Sequence, residues 1–482
     1  MALASAAFRV TSAAMKVRHF GNTANNAFYN AVLLKRFAGI ESQLPIGMFG
    51  LYHGISAPSW EVVDFDVPSA EWVSQPDWSA FPEAVAVNAE YTDLPAPSTD
   101  GGDTGALSSD YRSPNVLPGL RRWVNASLNG KAWAQPLFDY RTRQQLARRT
   151  EIDQPEGRIN ILYGADSLTH VKAQASGPTV CVEHGTIRWI GDGSATQKLL
   201  RRVYREQVQQ ARHLWVTNLD PRTLEIAEDL VPGRWSVLPH PWVPDSRVPF
   251  PETPRRQELL QQSGSESLVL LPSSQNWAKH HDKGSMKALR AFVELRRAGR
   301  DVGLVAVEWG LQLAESKAFL EQAGVAANVA WVPPMARFSL QRTMANVDVV
   351  WDQFGLEAFG GLAMRAMEQG TPLISRGLAP IGERLIGGPV PWRHAATTED
   401  IVAETGAVLD EIALQGRGRV IEHYRARYRS WLLERHDSRI TAALQREVYT
   451  GILDGSWEPG AAVPGRWAQL LSEGLGEDGS SR

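Results

Sequence analysis

The chain has 482 residues, of which 43% are hydrophobic and 21% charged, and its formal net charge at pH 7 is -3. This length allows two or three domains with substantial cores, and the composition is that of a soluble globular enzyme. The charge balance argues against a nucleic-acid-binding protein, no apolar run is long enough to span a bilayer, and the one cysteine, Cys181, excludes an internal disulfide framework and a cysteine-based zinc site.

The N terminus lacks the basic region of a signal peptide, so we expect a cytoplasmic protein. After an extension over residues 1–14, Met15–Phe20 is a predicted strand, Gly21 a turn and Ala27–Phe37 a helix, the opening of a doubly wound domain. One glycine does not make a dinucleotide fingerprint, so no NAD site is predicted. The turn also carries three asparagines that either cap the helix or line a polar pocket: Asn22, Asn25 and Asn26.

We predict a first domain over residues 15–244, with a Pro-, Gly- and Ser-rich surface loop over 91–118. It contains an Asp-x-Asp pattern at Asp64 and Asp66. Such a pattern binds metal in some enzymes, but it is short and common by chance, and we assign no metal to it.

Three apolar stretches predict buried parallel strands over residues 160–164, 179–182 and 214–217. Glu183-His184-Gly185 follows the second of them, at the carboxyl edge where open α/β sheets bind ligands. A lone histidine is more often structural, but this position favours a ligand contact for His184. Cys181, inside that strand, is predicted to be a buried apolar residue.

Around the helical segment predicted at residues 199–210, four cations at helical spacing form one face of a helix: Lys198, Arg201, Arg202 and Arg205. This face would suit an anionic acceptor or peripheral contact with a membrane surface. No strong apolar stripe accompanies it, so a solvated face is the preferred interpretation.

Residues 245–265 are polar and proline-rich and predict an interdomain linker. A second doubly wound domain is expected over 266–415, where the strand Leu268–Leu271 leads into a turn with Gln275 and then into Lys283-Gly284. Long helical stretches at 401–414 and 419–449 follow; helices over 416–455 are expected to cross back to the first domain, before a loose tail over 456–482.

The segment from Asp348 to Ser375 predicts a strand, a glycine-rich turn, a helix and another strand. Gly360 and Gly361 open the helix, and Glu357 lies in the turn before it. Free backbone N–H groups and the positive end of the helix dipole make such a turn an anion site.

These segments together resemble the retaining GT-B glycosyltransferases of family-4 type, over most of the chain from Met15 to about Tyr449. The resemblance implies two facing doubly wound domains with a sugar donor in the cleft and the first turn, at Gly21, near the acceptor. It implies that Glu357 and His184 contact the donor sugar, that Lys283-Gly284 holds the pyrophosphate, and that Phe359 and Gly360 belong to the donor turn. The family places an arginine where this chain offers Gln275 or Lys279.

The resemblance implies sugar transfer from an activated phosphate, most simply a nucleotide sugar, to an acceptor that the sequence does not name. No metal cluster is visible and no cofactor is expected; Lys283 and the helix N-terminus would neutralise the leaving phosphate. No carboxylate nucleophile is visible, which fits retention with departure and attack on one face. Two alternatives stay open. One is a non-catalytic protein that binds a sugar or nucleotide. The other is a different GT-B enzyme, an epimerase or a phosphorylase, which is distinguished by whether the reaction needs an acceptor.

Arg365 stands where the resembled enzymes place a second glutamate that grips the nucleotide ribose. An arginine has donors only, so that two-acceptor grip is lost. The donor is then a deoxyribonucleotide sugar, or carries an extra anion that the guanidinium holds, or Arg365 pairs with Glu357 or Glu368 and the site is inactive. Our hypothesis is that Arg365 fits the pocket to a non-standard activated sugar.

Overall fold

A computed structural model of the chain describes the following residues: 15–22, 25–46, 89–91, 150–151, 158–165, 171–172, 178–190, 195–240, 242, 248–277 and 282–457. Two parallel sheets dominate this part of the chain. Several predicted features lie outside the described residues: the extension over 1–14, Asp64 and Asp66, residues 92–118 of the predicted loop at 91–118, Lys279, and the tail after residue 457.

The first sheet has seven strands in the order β3-β2-β1-β5-β7-β8-β9. All of its neighbouring strands run parallel. Most of its central strands are apolar on both faces, as a sheet covered on both sides requires. Its strands are β1 (Lys16–Phe20), β2 (Glu41–Ile46), β3 (Ala89–Tyr91), β5 (Arg158–Tyr163), β7 (Thr179–Glu183), β8 (His213–Val216) and β9 (Trp235–Val237), and a separate two-stranded pair joins β4 (Thr150–Glu151) to β6 (Val171–Lys172).

Three α-helices accompany this sheet in the described part of the first half: α1 (Asn26–Leu33), α2 (Ala195–Gln210) and α3 (Pro221–Leu230). The predicted helix at 27–37 continues past α1 as a π-helical turn, Leu34–Ala38, which ends at Gly39 with φ 66°. Asp220 caps α3 by accepting a hydrogen bond from Thr223 N at 3.1 Å. A short 3-10 helix, Thr186–Ile190, follows β7.

The second sheet has six parallel strands in the order β12-β11-β10-β13-β14-β15. Counted from its own first strand, this order is 3-2-1-4-5-6, the doubly wound arrangement whose ligand crevice opens between its first and fourth strands. The strands are β10 (Ser267–Leu271), β11 (Val302–Val307), β12 (Val329–Val332), β13 (Val349–Trp351), β14 (Leu373–Ser375) and β15 (Arg393–His394).

The helices around this sheet are α4 (Arg255–Ser263), α5 (Ser285–Arg297), α6 (Leu313–Gln322), α7 (Arg337–Ala345), α8 (Gly361–Gln369), α9 (Pro380–Leu385) and α10 (Thr398–Gln415). Helix α4 lies inside the predicted linker. Leu259 on that helix is fully buried and belongs to the core, so part of the polar segment is a packed element rather than a connection.

Two further helices close the described chain: α11 (Arg417–His436) and α12 (Ser438–Asp454). The sequence indicated one helical stretch over 419–449, but Asp437 breaks it. Its backbone is extended and its side chain accepts from Arg439 N, which starts a new helix.

Helix α12 packs on the first sheet, which confirms the predicted return of the chain. Its residues Leu444, Val448 and Tyr449 join the core that contains Val17, Ile161 and other apolar residues of the first sheet. Asn30 and Gln445 exchange side-chain hydrogen bonds of 2.9 and 2.8 Å across this contact. Apolar packing also joins the two halves, since one core cluster contains residues of both sheets.

Candidate functional site

Two turns meet at the switch point of the second sheet, beyond the carboxyl ends of the neighbouring strands β10 and β13. One contains Lys283 and Gly284, and the other contains Phe354 and Gly355. Phe354 N and Gly355 N both donate to Lys283 O, at 2.6 and 3.1 Å. Gly284 has φ 82°, and a Cβ there would lie 2.7 Å from Phe354 Cβ and 2.8 Å from Gly355 N. The Lys283-Gly284 turn therefore needs glycine both for its backbone angle and for its approach to the second turn.

Lys283 lies beside a carboxylate that no sequence pattern singled out. Asp352 follows β13 and is 3% exposed. Burial raises the pKa of Asp352 to about 6, while the positive charge of Lys283 works in the opposite direction. A cation and a carboxylate thus sit together at the edge where a donor phosphate is expected.

The turn after β10 is fixed through its backbone. Gln275 N donates to Trp309 O at 2.8 Å, and Gln312 N donates to Gln275 O at 2.9 Å. Its side chain is buried, with Nε2 3.4 Å from Ser273 O and with no described partner for Oε1. The Ser273 hydroxyl is also buried without a described partner. Such unsatisfied groups at a sheet edge are suited to ligand contacts.

Glu357 is only partly buried and is held by an arginine from the next strand. Arg376 Nη2 donates to Glu357 Oε1 at 3.1 Å, and the two side chains are 30% and 37% exposed. Arg376 directly follows β14, so its backbone position is set by the sheet. The turn itself is tied by a hydrogen bond from Gln353 Nε2 to Ala358 O.

Phe359 lies in an aromatic cluster that we define as Phe359, Trp392, Trp431 and His436. The centroid of its ring is 5.3, 5.8 and 5.4 Å from those of the other three rings, in that order. This packing fixes the backbone just before α8. Gly360 is the N-cap, and a Cβ on it would meet nothing within 4 Å, so the N-terminus of α8 is open to a ligand.

His184 lies at the end of β7, as the sequence predicts. Its Nδ1 is 2.8 Å from Thr217 Oγ1, and its ring stacks on Tyr163 with centroids 5.5 Å apart. Nε2 is buried and has no hydrogen-bond partner among the described residues. Burial lowers the pKa of His184 to about 3, helped by the nearby His240, so the imidazole is neutral at pH 7.

His240 joins the two halves of the site, although no sequence pattern singled it out. It follows β9, and its Nε2 would lie 3.6 Å from a Cβ on Gly361, the first residue of α8. Burial, and then the positive charge of Arg365, lower its pKa to about 4. His184 is thereby brought close to the N-terminus of the second-sheet helix.

Arg365 points toward the first domain. Its Nη2 donates to Tyr29 Oη at 2.9 Å, and its guanidinium carbon lies 5.5 Å from the centre of the Tyr29 ring. Arg337 of α7 also lies over that ring, at 5.6 Å. Helix α1 therefore reaches α7 and α8 of the second half through Tyr29, which no sequence pattern singled out.

The predicted acceptor-side residues lie at the start of α1. Gly21 has φ 83°, and Asn25 takes the left-handed conformation as N-cap with φ 59°. Asn22 Oδ1 accepts from Phe28 N at 3.0 Å, while its Nδ2 donates to Asn25 Oδ1 at 2.8 Å. Asn22 thus caps the helix. Asn26 is buried, and an acceptor role for these residues stays a prediction.

The cationic face of α2 is engaged with acids. Arg201 and Arg205 both contact Asp229, at 2.5 and 3.4 Å, and Arg202 lies 3.6 Å from Glu206. The preferred interpretation of a solvated face agrees with these exposed pairs. Cys181 is buried in β7, and burial raises the pKa of its thiol.

Within the part of the chain that the structure describes, no group of three or more His, Cys, Asp or Glu residues is arranged to hold a metal ion. Among the same residues, no helix is both long and apolar enough to cross a membrane.

Comparison with known proteins places the fold. No protein-family model matches the chain. The chain is 28% identical over 173 residues to a 2-deoxystreptamine glucosyltransferase of Streptomyces kanamyceticus; the match spans 36% of this chain and 43% of that relative. Among solved structures, sucrose-phosphate synthase from Thermosynechococcus elongatus has a TM-score of 0.51 at 11% identity, covering 92% of this chain and all of that one.

HepE from Anabaena, solved in complex with UDP and glucose, has a TM-score of 0.52 at 12% identity, covering 90% of this chain and 98% of that one. These neighbours share the two-sheet GT-B architecture, so the α/β fold expected from the sequence is confirmed.

Proposed function

We propose that the protein is a glycosyltransferase that moves a sugar from a nucleotide-sugar donor to an acceptor, with retention of configuration and without a metal ion. The observation that carries the proposal is the junction at His240, which brings His184 from the first sheet to the N-terminus of α8 beside the second. The names of the relative and of HepE, one a glucosyltransferase and one bound to UDP and glucose, support a nucleotide-sugar donor.

Breaking the bond between sugar and phosphate leaves negative charge on the phosphate. Lys283 and the open N-terminus of α8 lie on the two turns that meet at the switch point, where they would stabilise that charge as it develops. Glu357, held by Arg376, and the neutral His184 would orient the sugar hydroxyls. Because these groups are fixed before the donor arrives, little reorganisation is needed in the transition state.

The direct test is to incubate the protein with a panel of UDP-, GDP-, ADP- and dTDP-sugars and follow donor hydrolysis by mass spectrometry. We expect slow release of the nucleoside diphosphate from one donor class, and this release should persist in excess EDTA. A complete, Mn²⁺-restorable loss would contradict the metal-free mechanism and direct attention to Asp64 and Asp66. An NMR analysis of the product's anomeric configuration, once an acceptor is found, tests retention.

A non-catalytic binding protein is the second candidate, and the contact between Arg365 and Tyr29 is the observation that favours it. An arginine committed to a domain interface is less available to grip a nucleotide. A thermal-shift screen with the same sugar nucleotides separates the candidates, because a ligand that binds the native state raises its melting temperature whether or not it is turned over. A shift without hydrolysis or transfer would support the binding protein.

The role of Arg365 in donor choice is tested by Arg365→Glu, which restores the residue type of the resembled family. If Arg365 selects a non-standard donor, the variant uses ordinary ribonucleotide sugars better than the wild type and uses the native donor worse. Equal use of the native donor by both proteins would show that Arg365 has no part in donor choice.

A further inference from the structure

Three groups form a short hydrogen-bond chain behind the ring of His184. Nδ1 of His184 is 2.8 Å from Thr217 Oγ1, and that hydroxyl oxygen is 3.1 Å from Glu183 O. Thr217 N donates to the same carbonyl at 2.9 Å, so the backbone of β8 fixes where the hydroxyl lies. On the other side of the ring, Nε2 is buried without a described partner.

The Thr217 hydroxyl has one hydrogen, which leaves two possible arrangements. In the first, Nδ1–H donates to Oγ1 and the hydroxyl donates to Glu183 O, so every hydrogen in the chain is used. In the second, the hydroxyl donates to Nδ1, and His184 carries its proton on Nε2. That N–H would be buried with no acceptor among the described residues, a situation that folded proteins rarely tolerate. The first arrangement is therefore favoured.

The ring is also held against rotation. Tyr163 stacks on it with an interplanar angle of 9°, and the Tyr163 hydroxyl is itself held by His19 Nδ1 at 2.9 Å and by Asn30 Nδ2 at 2.7 Å. Turning the imidazole by 180° would place Cδ2 where Nδ1 lies and break the bond to Thr217. Nε2 thus keeps one direction as well as one protonation state.

We infer that Thr217 is a positioning residue that fixes His184 as the Nδ1–H tautomer, so that Nε2 can only accept a hydrogen bond. The step to substrate rests on the proposed function. A donor sugar that contacts Nε2 must offer a hydroxyl or amide hydrogen there. A carboxylate or carbonyl oxygen in that place would face a lone pair, which excludes acidic sugars that carry their carboxylate at the contact position.

The tautomer is measured directly in protein labelled with ¹⁵N at histidine, because protonated and bare ring nitrogens have well-separated shifts. The His184 signals are assigned by their loss in His184→Gln. We expect a proton on Nδ1 and a bare Nε2 in the free protein at pH 7. Thr217→Val, which is isosteric but has no hydroxyl, should lose this fixed tautomer and lower turnover of the identified donor about 10-fold or more.

Thr217→Ser keeps the hydroxyl and should restore both the Nδ1–H signal and most of the turnover that the valine variant loses. Thr343→Val controls for the substitution itself, since the hydroxyl of that buried threonine of α7 contacts Ser339 O and Met335 Sδ, and its loss should leave His184 unchanged. A proton on Nε2 in the wild type, or an unaltered tautomer in Thr217→Val, overturns the inference. The expected tautomer in a protein that turns over no donor would instead refute the proposed function and leave the inference about Thr217 standing.

Discussion

Lys283 supplies the positive charge at the switch point of the second sheet, and its removal is the simplest test of the site. Lys283→Ala should lower turnover by about 10²-fold or more, equivalent to about 2.7 kcal/mol, the usual cost of losing one preorganised donor to a developing anion. Because the residue lies in a partly exposed turn, the fold should survive, which circular dichroism would verify.

Lys198→Ala is the matched control, since Lys198 is an exposed lysine of α2. It removes the same charge from the whole molecule and should leave turnover as it is. A Lys283→Ala protein with wild-type turnover would remove Lys283 from the mechanism.

The raised pKa of Asp352 predicts how the stability of the protein changes with pH. Its pKa of about 6 lies above the ordinary value, so between these two values the folded state holds a proton that the unfolded state has lost. Stability from this group is therefore present at low pH and lost as pH rises through 6. Between pH 5 and pH 7, on either side of this pKa, the free energy of unfolding falls by about 1.3 kcal/mol, which is the free-energy equivalent of one pKa unit.

Asp352→Asn abolishes this dependence. Urea unfolding of the wild type and the variant at both pH values gives the difference, in which all other titrating groups cancel. Equal pH dependence in the two proteins would mean that Asp352 has an ordinary pKa.

Some site residues could be selected from the sequence because of the pattern around them. His184 and Glu357 each follow an apolar strand and lie beside glycines, which marks the carboxyl edge of a sheet. His240, Asp352 and Thr217 follow strands too, but the sequence around them did not distinguish them from ordinary loop residues. Their significance comes from neighbours more than 30 residues away in sequence, or from burial, neither of which periodicity encodes.

At the scale of elements, we expect that adding a single methyl group at the contact between the two switch-point turns destabilises the protein. Gly284→Ala places a Cβ at φ 82° and 2.7 Å from Phe354 Cβ. We expect a loss of unfolding free energy beyond the roughly 1 kcal/mol that a left-handed residue other than glycine costs, together with weaker donor binding, because both turns move.

Gly299→Ala isolates the backbone cost. Gly299 has nearly the same φ, 78°, and a Cβ there meets nothing within 4 Å. Chemical unfolding of the two variants compares strain alone with strain plus collision. Equal losses of unfolding free energy in the two variants would show that the added Cβ at Gly284 makes no steric clash with the second turn.

Elements with strong periodicity were predictable and their ends were less so. The strands predicted at 160–164 and 214–217 are mostly apolar and match β5 and β8 closely. The break at Asp437 was not predicted because the sequence is helix-forming on both sides of it. The structure reveals the break through the capping hydrogen bond that Arg439 N donates to the Asp437 side chain. Helix α4 escaped because its exposed face is polar and only Leu259 and Ser263 are buried.

At the scale of the whole molecule, the contact between Tyr29 of the first half and Arg365 of the second can be tested for energetic coupling. Residues joined by both a hydrogen bond and a cation–π contact should be coupled, and about 1 kcal/mol is the expected order of the interaction energy. A double-mutant cycle of Tyr29→Leu and Arg365→Met, measured by chemical unfolding, gives that energy.

Arg300→Met paired with Tyr29→Leu is the reference, because Arg300 is a surface residue of the second half that contacts Asp410. Its effect should add to that of Tyr29→Leu. If the Arg365 cycle is equally additive, the two halves do not communicate through Tyr29.

The return of α12 to the first sheet determines the order in which the protein can fold while it is being synthesised. The core of the first sheet lacks Leu444, Val448, Tyr449 and the amide partner of Asn30 until residues beyond 437 have left the ribosome. One core cluster of the second half, by contrast, draws all of its buried members from a continuous stretch, 269–409. The later part of the chain therefore completes that core first, while the earlier part still has an apolar face uncovered. Nascent chains of which residues up to about 436 have left the ribosome should be cut by protease in the first half and resist it in the second.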